Sequence, residues 1–309
     1  MSLIERLTEK VNAVEPLMIG DSQLTFDSGE DLDEYQLAKA ERELRETPEV
    51  VQEAFKVLCD LLGEEDDLYV PLEMEFLQKF LRRCKWYPKS AFKLIKRFYE
   101  YQQNHPEYFE NLVPTKERSC LLSGCILPLP RRTAEGCRIV VIEAGATWNP
   151  KEVTLNQLFR GVIVCLEVAI AEPISQVSGV RVIIDMKGLS LSQVTYFSPK
   201  FASAIVDFVQ RSLPCRLKGV HIINQSFVFD MVFAFFKPFL KGKLRDRIYF
   251  HGNDRSSILA YFDAKCLPKK YGGEYDSETT NVGEKLYKFS SSFDDYFAEI
   301  RKYGYTKNT

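Results

Sequence analysis

Histidine is scarce: His105, His221 and His251 are the three in 309 residues. No HExxH pair is present, and no GxSxG, GxGxxG or GxxxxGK[ST] run occurs either. The common zinc-hydrolase, nucleophile-elbow, dinucleotide and P-loop signatures are therefore absent. The eight cysteines, at 59, 84, 120, 125, 137, 165, 215 and 266, never form a CxxC pair. Cys120, Cys125 and Cys137 cluster loosely, without zinc spacing or a nearby fourth ligand, so no metal site is expected. Scattered thiols without a disulfide pattern suit a reducing compartment. No run reaches the roughly 20 apolar residues that cross a bilayer. The opening MSLIERLTEKVNAVEPL reads as an amphipathic helix without the apolar core of a signal peptide. The closing KNT is not a prenylation box. A cytoplasmic, non-enzymatic protein without cofactor is the expectation.

Charge is balanced overall at −2 but unevenly spread. Residues 1–70 hold 6 Lys/Arg against 19 Asp/Glu, residues 71–118 hold 10 against 6, and residues 214–255 hold 8 against 3. An acidic leading segment thus precedes two basic ones. A near-zero total and the lack of a recognised motif or extended basic face argue against a nucleic-acid partner. Hydrophobic content of 45% is that of a globular chain.

Residues 1–34 are acidic, and DSGEDLDE carries loop signals with partial mobility expected. Helices follow: Tyr35–Glu46, then one opened by Pro48, then FLQKFLRRCKW with a basic end, then one opened by Pro88. Residues 1–118 read as a helical domain. Past Ser119 the pattern changes. Arg138–Glu143, Val180–Met186, Gly219–Ile223 and Arg247–Phe250 are apolar strands separated by helices, which implies crossovers and a parallel sheet. The fold class is α/β, with residues 119–275 as the sheet domain and residues 276–309 as a tail helix packed on the body. Glu143 and Asp185 end strands where ligands of open sheets often sit, or serve as capping and salt-bridged groups. His221 and His251 read as structural.

The stretch Gly219–Gly252 organises the rest. Six of the fourteen residues from Phe227 to Leu240 are Phe. Around this block stand Arg216, Lys218, Lys237, Lys241, Lys243, Arg245 and Arg247, against Asp230 and Asp246. A helix apolar all round is either buried or covers something apolar. The block is thus either a hydrophobic lid beside a cationic membrane-facing patch, or a core helix with a solvated basic end. Helix 152–171 is also apolar on more than one face. Two such helices beside one sheet enclose an apolar pocket or form a thick core.

Several runs, GVRVIIDMKG, FSPKFA, SLPCRLKGVHIIN, FFKPFLKGKLRDRIYFHGN and LPKKYGGE, together resemble the CRAL-TRIO lipid-binding family. The helical stretch FLQKFLRRCKW…AFKLIKRFYEY resembles that family's N-terminal helical domain. The likeness covers roughly residues 35–275 and is strongest to the tocopherol-transfer and retinaldehyde-binding group. It implies a carrier with an apolar cavity under a mobile helical gate. By residue matching, the cavity wall comprises Ile142, Phe159, Val162, Ile163, Leu166, Val180, Ile184, Leu189, Leu191, Ile205 and Phe208. The gate comprises Phe229, Val232, Phe233 and Phe236, with Pro238 or Gly242 as its hinge. A groove for phosphoinositide headgroups comprises Arg216, Lys218, Lys243 and Arg247. A further groove position, usually Arg, holds Cys84 here, with Arg82, Arg83 and Lys85 nearby. The expected partners are a retinoid, carotenoid or tocopherol-type molecule and, reversibly, an anionic membrane surface. The alternative is a phosphoinositide-binding regulatory module without lipophilic cargo.

Overall fold

Proline and side-chain caps set most helix starts. The computed structural model describes residues 3–27, 32–277 and 281–306; residues 28–31 of the acidic loop at 27–34 lie outside the described residues. Helix α1 (Leu3–Asn12) leads into the hairpin β1 (Leu17–Ile19) and β2 (Ser22–Leu24). Asp33 caps α2 (Glu34–Leu44) by accepting from the Gln36 amide. Thr47 caps α3 (Pro48–Gly63), with Pro48 in its first turn. After the short β3 (Leu68–Tyr69) come α4 (Met74–Arg83), α5 (Pro88–Asn104), α6 (Pro106–Phe109) and α7 (Arg118–Leu122). Phe76, Phe80, Phe98 and Tyr99 interlock edge-on or tilted to fill the helical core.

The main sheet has the order β4–β5–β6–β7–β8. Its strands are β4 (Ile126–Pro128), β5 (Arg138–Glu143), β6 (Val180–Asp185), β7 (Leu217–Ile223) and β8 (Ile248–Phe250). The last four run parallel, as the alternation of strands and helices implies. The edge strand β4 is antiparallel to β5.

The crossover from β5 to β6 is α8 (Leu155–Ala171) and α9 (Pro173–Ser178). A reciprocal Thr154–Gln157 capping box opens α8. Leu155, Phe159, Ile163, Leu166 and Ile170 are all buried, because α8 lies between the sheet and the helical segment. For α8, then, an all-round apolar surface is interior. Helices α10 (Leu191–Val194) and α11 (Pro199–Asp207) follow β6, and α12 (Phe227–Phe236) and α13 (Gly242–Arg245) link β7 to β8.

After β8 and α14 (Arg255–Ile258), the tail forms two helices rather than one: α15 (Val282–Ser291) and α16 (Asp294–Ile300). Phe293, Phe297 and Ile300 bury themselves in the body. The final strand β9 (Gly304–Tyr305) pairs antiparallel with β3, fastening the tail to the helical segment. Buried Glu172 ties the N-terminal hairpin to the sheet. It accepts from Arg138, Ser175 and the Asp27 amide and forms an ion pair with Arg132; burial acts to raise its carboxyl, but the two guanidiniums and the Asp27 amide hold it below the usual range.

Candidate functional site

Helix α12 does not behave like α8. Only Val228, Phe229 and Val232 are buried. Phe227 is 72% exposed and Met231 48%. The inner side is held by aromatic contacts: Phe229 and Phe233 stack at 5.6 Å, Phe233 meets Phe250 edge-on at 5.1 Å, and Phe236 meets Phe197 at 6.4 Å. At the front, the Asn224 amide donates to Gly252 O (2.7 Å) and the Gly252 amide to Gln225 Oε1 (2.9 Å). At the back, the helix tightens into a 3₁₀ turn at Lys237–Phe239 around Pro238. Gln210 then spans the exit, donating to Phe239 O and accepting from the Lys241 amide. Gly242 follows with φ +45°, a left-handed conformation that favours glycine. Both proposed hinge residues thus sit where the chain changes direction.

Beneath α12, register aligns Ile142, Ile184 and Ile222 on neighbouring strands. Val220 pairs with Ile248 one step away on the same face. Ile142 and Ile184 are central strand positions, yet they are only half-buried, as are Val220 and Ile248. Close-packed interiors leave almost no such surface. The buried apolar residues fall into two clusters, one around α8 and one around α12, and Ile142, Ile184, Phe197 and Val220 touch both. The surface they retain lies where the two clusters meet. Val162 and Ile205 are likewise half-buried.

The other expected wall residues sit differently. Ile163, Val180 and Phe208 are sealed, Phe159, Leu166 and Leu189 are buried, and Leu191 is 56% exposed on α10. The larger surface clefts, about 750 Å³ beside α5, α6 and α16 and about 350 Å³ between α1 and α16, contain none of the expected wall residues.

The expected cations form two groups. Arg216 and Lys218 both donate to Glu43 on α2, at 2.7 and 3.2 Å. Arg247 Nη1 donates to Leu217 O at 2.6 Å. Burial, with the charges of Arg83 and Arg216, lowers the Arg247 guanidinium from its ordinary value. Lys243 is exposed on α13. Arg82 points elsewhere: it grips Glu46 through Nε and Nη2 and Gln176 through Nη1. Cys84, half-buried at the end of α4, has its thiol pushed up to about 11 by burial. Two groups of this cluster, Arg83 and Glu43, were not singled out by sequence reasoning. Arg83 was visible only as one of several cations at the end of α4.

The acids at the strand ends are structural. Glu143 accepts from Lys270, Thr147 and Tyr271. Asp185 accepts from Asn224 and from the Lys187 amide. The opposite face of the sheet holds a directional chain. Arg181 lies 3.4 Å from His221 Nε2, which must accept; His221 Nδ1–H then donates to His251 Nε2 at 3.1 Å. His251 Nδ1–H donates to Ser257 Oγ at 2.7 Å, and Ser257 donates to Asp254 O. Every ring nitrogen is used, so neither imidazole can gain a proton without breaking a bond.

Burial first, then Arg181 and His251, push the His221 pKa down to about 3. A depressed histidine contributes stability above its unfolded value near 6.5, and that stability is lost progressively as pH falls from there toward the folded value of about 3. Urea unfolding should therefore give about 2–3 kcal/mol less stability at pH 4.5 than at pH 7 from this group. His221→Phe should flatten that slope; an unchanged slope would assign it elsewhere.

Residues 122–273 match the CRAL/TRIO domain. The human alpha-tocopherol transfer protein-like protein is 34% identical over 250 residues, covering 80% of this chain and 73% of that protein. The chain belongs to the CRAL/TRIO family. Another relative is clavesin-1 of Rattus norvegicus, 29% identical over 240 residues, covering 77% of this chain and 68% of clavesin-1. The crystal structure of Sfh5 superposes with a TM-score of 0.45 at 15% identity, covering 88% of this chain and 99% of Sfh5. The CRAL/TRIO match spans β4 through β8 and includes α12. Among the described residues no helix is long and apolar enough to cross a membrane, and no group of His, Cys, Asp and Glu can hold a metal ion.

Proposed function

We propose that this CRAL/TRIO protein is a non-catalytic carrier of a hydrophobic small molecule of retinoid, carotenoid or tocopherol type, which it exchanges at anionic membranes. One observation carries the reading: α12, with Phe227 and Met231 in solvent, roofs sheet isoleucines that packing has left only half-buried. A cargo of ~20 carbons exposed to water would cost on the order of 16 kcal/mol. Delivery through water is slow for that reason, and delivery into a bilayer avoids the cost. In this reading Phe229, Val232, Phe233 and Phe236 swing outward about the Pro238–Gly242 exit and uncover an apolar gap between the two clusters. Ile142, Val162, Ile184 and Ile205 form its wall. Residues 1–118 and 276–309 brace the lipid-binding part at 119–275.

Docking uses the cations beside the gate. Each Lys or Arg near an anionic leaflet contributes about 1 kcal/mol, so a handful gives reversible attachment. Arg216, Lys218, Lys243 and Arg247 would take a phosphoinositide headgroup. The clustering of Arg83, Arg216 and Arg247 also favours a second reading, a phosphoinositide-sensing module with no cargo. Mass spectrometry of the organic extract from natively purified protein separates the two. A stoichiometric apolar molecule is expected. Headgroup binding with nothing extractable would overturn the carrier reading and leave the module.

A further inference from the structure

Two features of the basic cluster go beyond its being basic. Glu43, in the last turn of α2, accepts from both Arg216 Nη2 and Lys218 Nζ. Arg216 is anchored besides to Val177 O. Two of the expected headgroup cations therefore already share one carboxylate from within the chain, which cancels one of their two charges. Burial alone would raise the Glu43 carboxyl, yet these two cations hold it at about 2. Its side chain keeps 29% of its surface, so an incoming anion can reach the pair it makes.

The other half of the cluster is open. Arg83 and Arg247 repel one another, and neither has an acidic partner among the described residues. Arg83 Nε is buried without any hydrogen-bond partner. Desolvating a guanidinium beside like charge, with a donor unpaired, is costly unless an anion completes the site. Cys84 carries no charge at neutral pH, its thiol being raised by burial beside Arg83.

Resting on the docking reading above, we infer that Glu43 is a built-in counter-anion that sets a charge threshold for membrane lipids, and that Arg83 supplies the guanidinium which position 84 does not. A headgroup with one negative charge gains little by displacing Glu43, because it only replaces one ion pair with another. A bisphosphorylated inositol headgroup carries about −1.5 to −2 per phosphate monoester. One phosphate can engage Arg83, Lys243 and Arg247 while the other competes with Glu43 for Arg216 and Lys218. The site therefore selects lipids by charge density, not merely by sign.

The test is co-sedimentation with phosphatidylcholine vesicles containing either phosphatidylserine or a bisphosphorylated phosphoinositide. Glu43→Gln should bind phosphatidylserine vesicles about five- to tenfold tighter and gain less on the phosphoinositide, so the preference between them shrinks. Glu43→Asp, too short to reach both cations, should give an intermediate gain and provides a second readout if Glu43→Gln folds poorly. Arg83→Gln should weaken phosphoinositide binding at least about fivefold. Equimolar soluble inositol trisphosphate should leave most wild-type protein on the vesicles, because the exposed Phe and Met side chains add apolar binding. Complete stripping would overturn the assignment to a membrane lipid. Wild-type selectivity in the Glu43 variants would overturn the threshold, and an unaltered Arg83→Gln would overturn that residue's part. If neither wild type nor variants bind either vesicle, the docking reading itself falls.

Discussion

Phe227→Asp together with Met231→Asp should weaken binding to anionic vesicles roughly thirty- to hundredfold, with little change in unfolding free energy. The side chains are 72% and 48% exposed, so the folded protein gains little from them. Surface changes of this kind usually stay within about 0.5 kcal/mol. At a bilayer the balance differs. Burying a large apolar side chain is worth about 1.5–3 kcal/mol. Both residues are already partly covered, so about 2–3 kcal/mol for the pair is the expected share, and each 1.4 kcal/mol is tenfold in affinity. Two added carboxylates near an anionic leaflet deepen the loss. Vesicle co-sedimentation and thermal melting of the same preparations check both halves. Binding that survives would leave docking to the cations alone. A collapse in melting temperature would return α12 to the core.

Much of this arrangement is legible in the chain because it rests on local chemistry. The Arg138–Glu143, Val180–Met186, Gly219–Ile223 and Arg247–Phe250 runs became β5 to β8 because near-continuous apolar strands need helices on both faces. Pro48, Pro88 and Pro199 mark helix starts because their fixed backbone angle and missing amide hydrogen cost nothing there. The antiparallel β4 stayed hidden because Ile126-Leu-Pro128 is too short to show a period and ends in proline.

Helices α8 and α12 are both apolar on more than one face, yet α8 is interior and α12 leaves Phe227 and Met231 in solvent. Periodicity reports how apolar a face is, not what covers it. Burial of α8 depends on the helical segment, which arrives from some 40 residues upstream. The tail divides at Ser292-Phe293, and a stripe of aromatic residues reads the same whether or not its helix breaks.

Pairing across long sequence separations is least legible. His221 and His251 read as structural from their strand positions, but their shared hydrogen bond and their link to Arg181 and Ser257 need register. Glu43 was one acid among many in an acidic segment. Only the docking of α2 against the start of β7 brings it to Arg216 and Lys218. Matching by sequence position assigned the groove to residue 84. The neighbouring Arg83 is the one whose charge reaches Arg247, and α4 ends beside it in a tight exit with Lys85 and Trp86 both in left-handed conformations.

Ile184→Trp is the substitution that decides whether the gap under α12 is real, because the sign of its effect differs between the two cases. Ile184 lies on the middle strand of the sheet, half-buried, touching both apolar clusters. In a filled interior, a larger ring at such a position forces strained rotamers and backbone shifts, typically at a cost of 1–3 kcal/mol. In a gap large enough for cargo, the indole occupies free space and covers apolar surface that water or ligand touches in the wild type. Stability should then hold or rise by about 1 kcal/mol in cargo-free protein, while extractable cargo falls to near zero. Val220→Phe, one strand over on the same face, should do the same to a smaller degree. Loss of cargo with retained stability supports a chamber beneath the Phe-rich helix. Loss of stability with no cargo in the wild type would mean that Ile184 keeps its surface through imperfect packing alone.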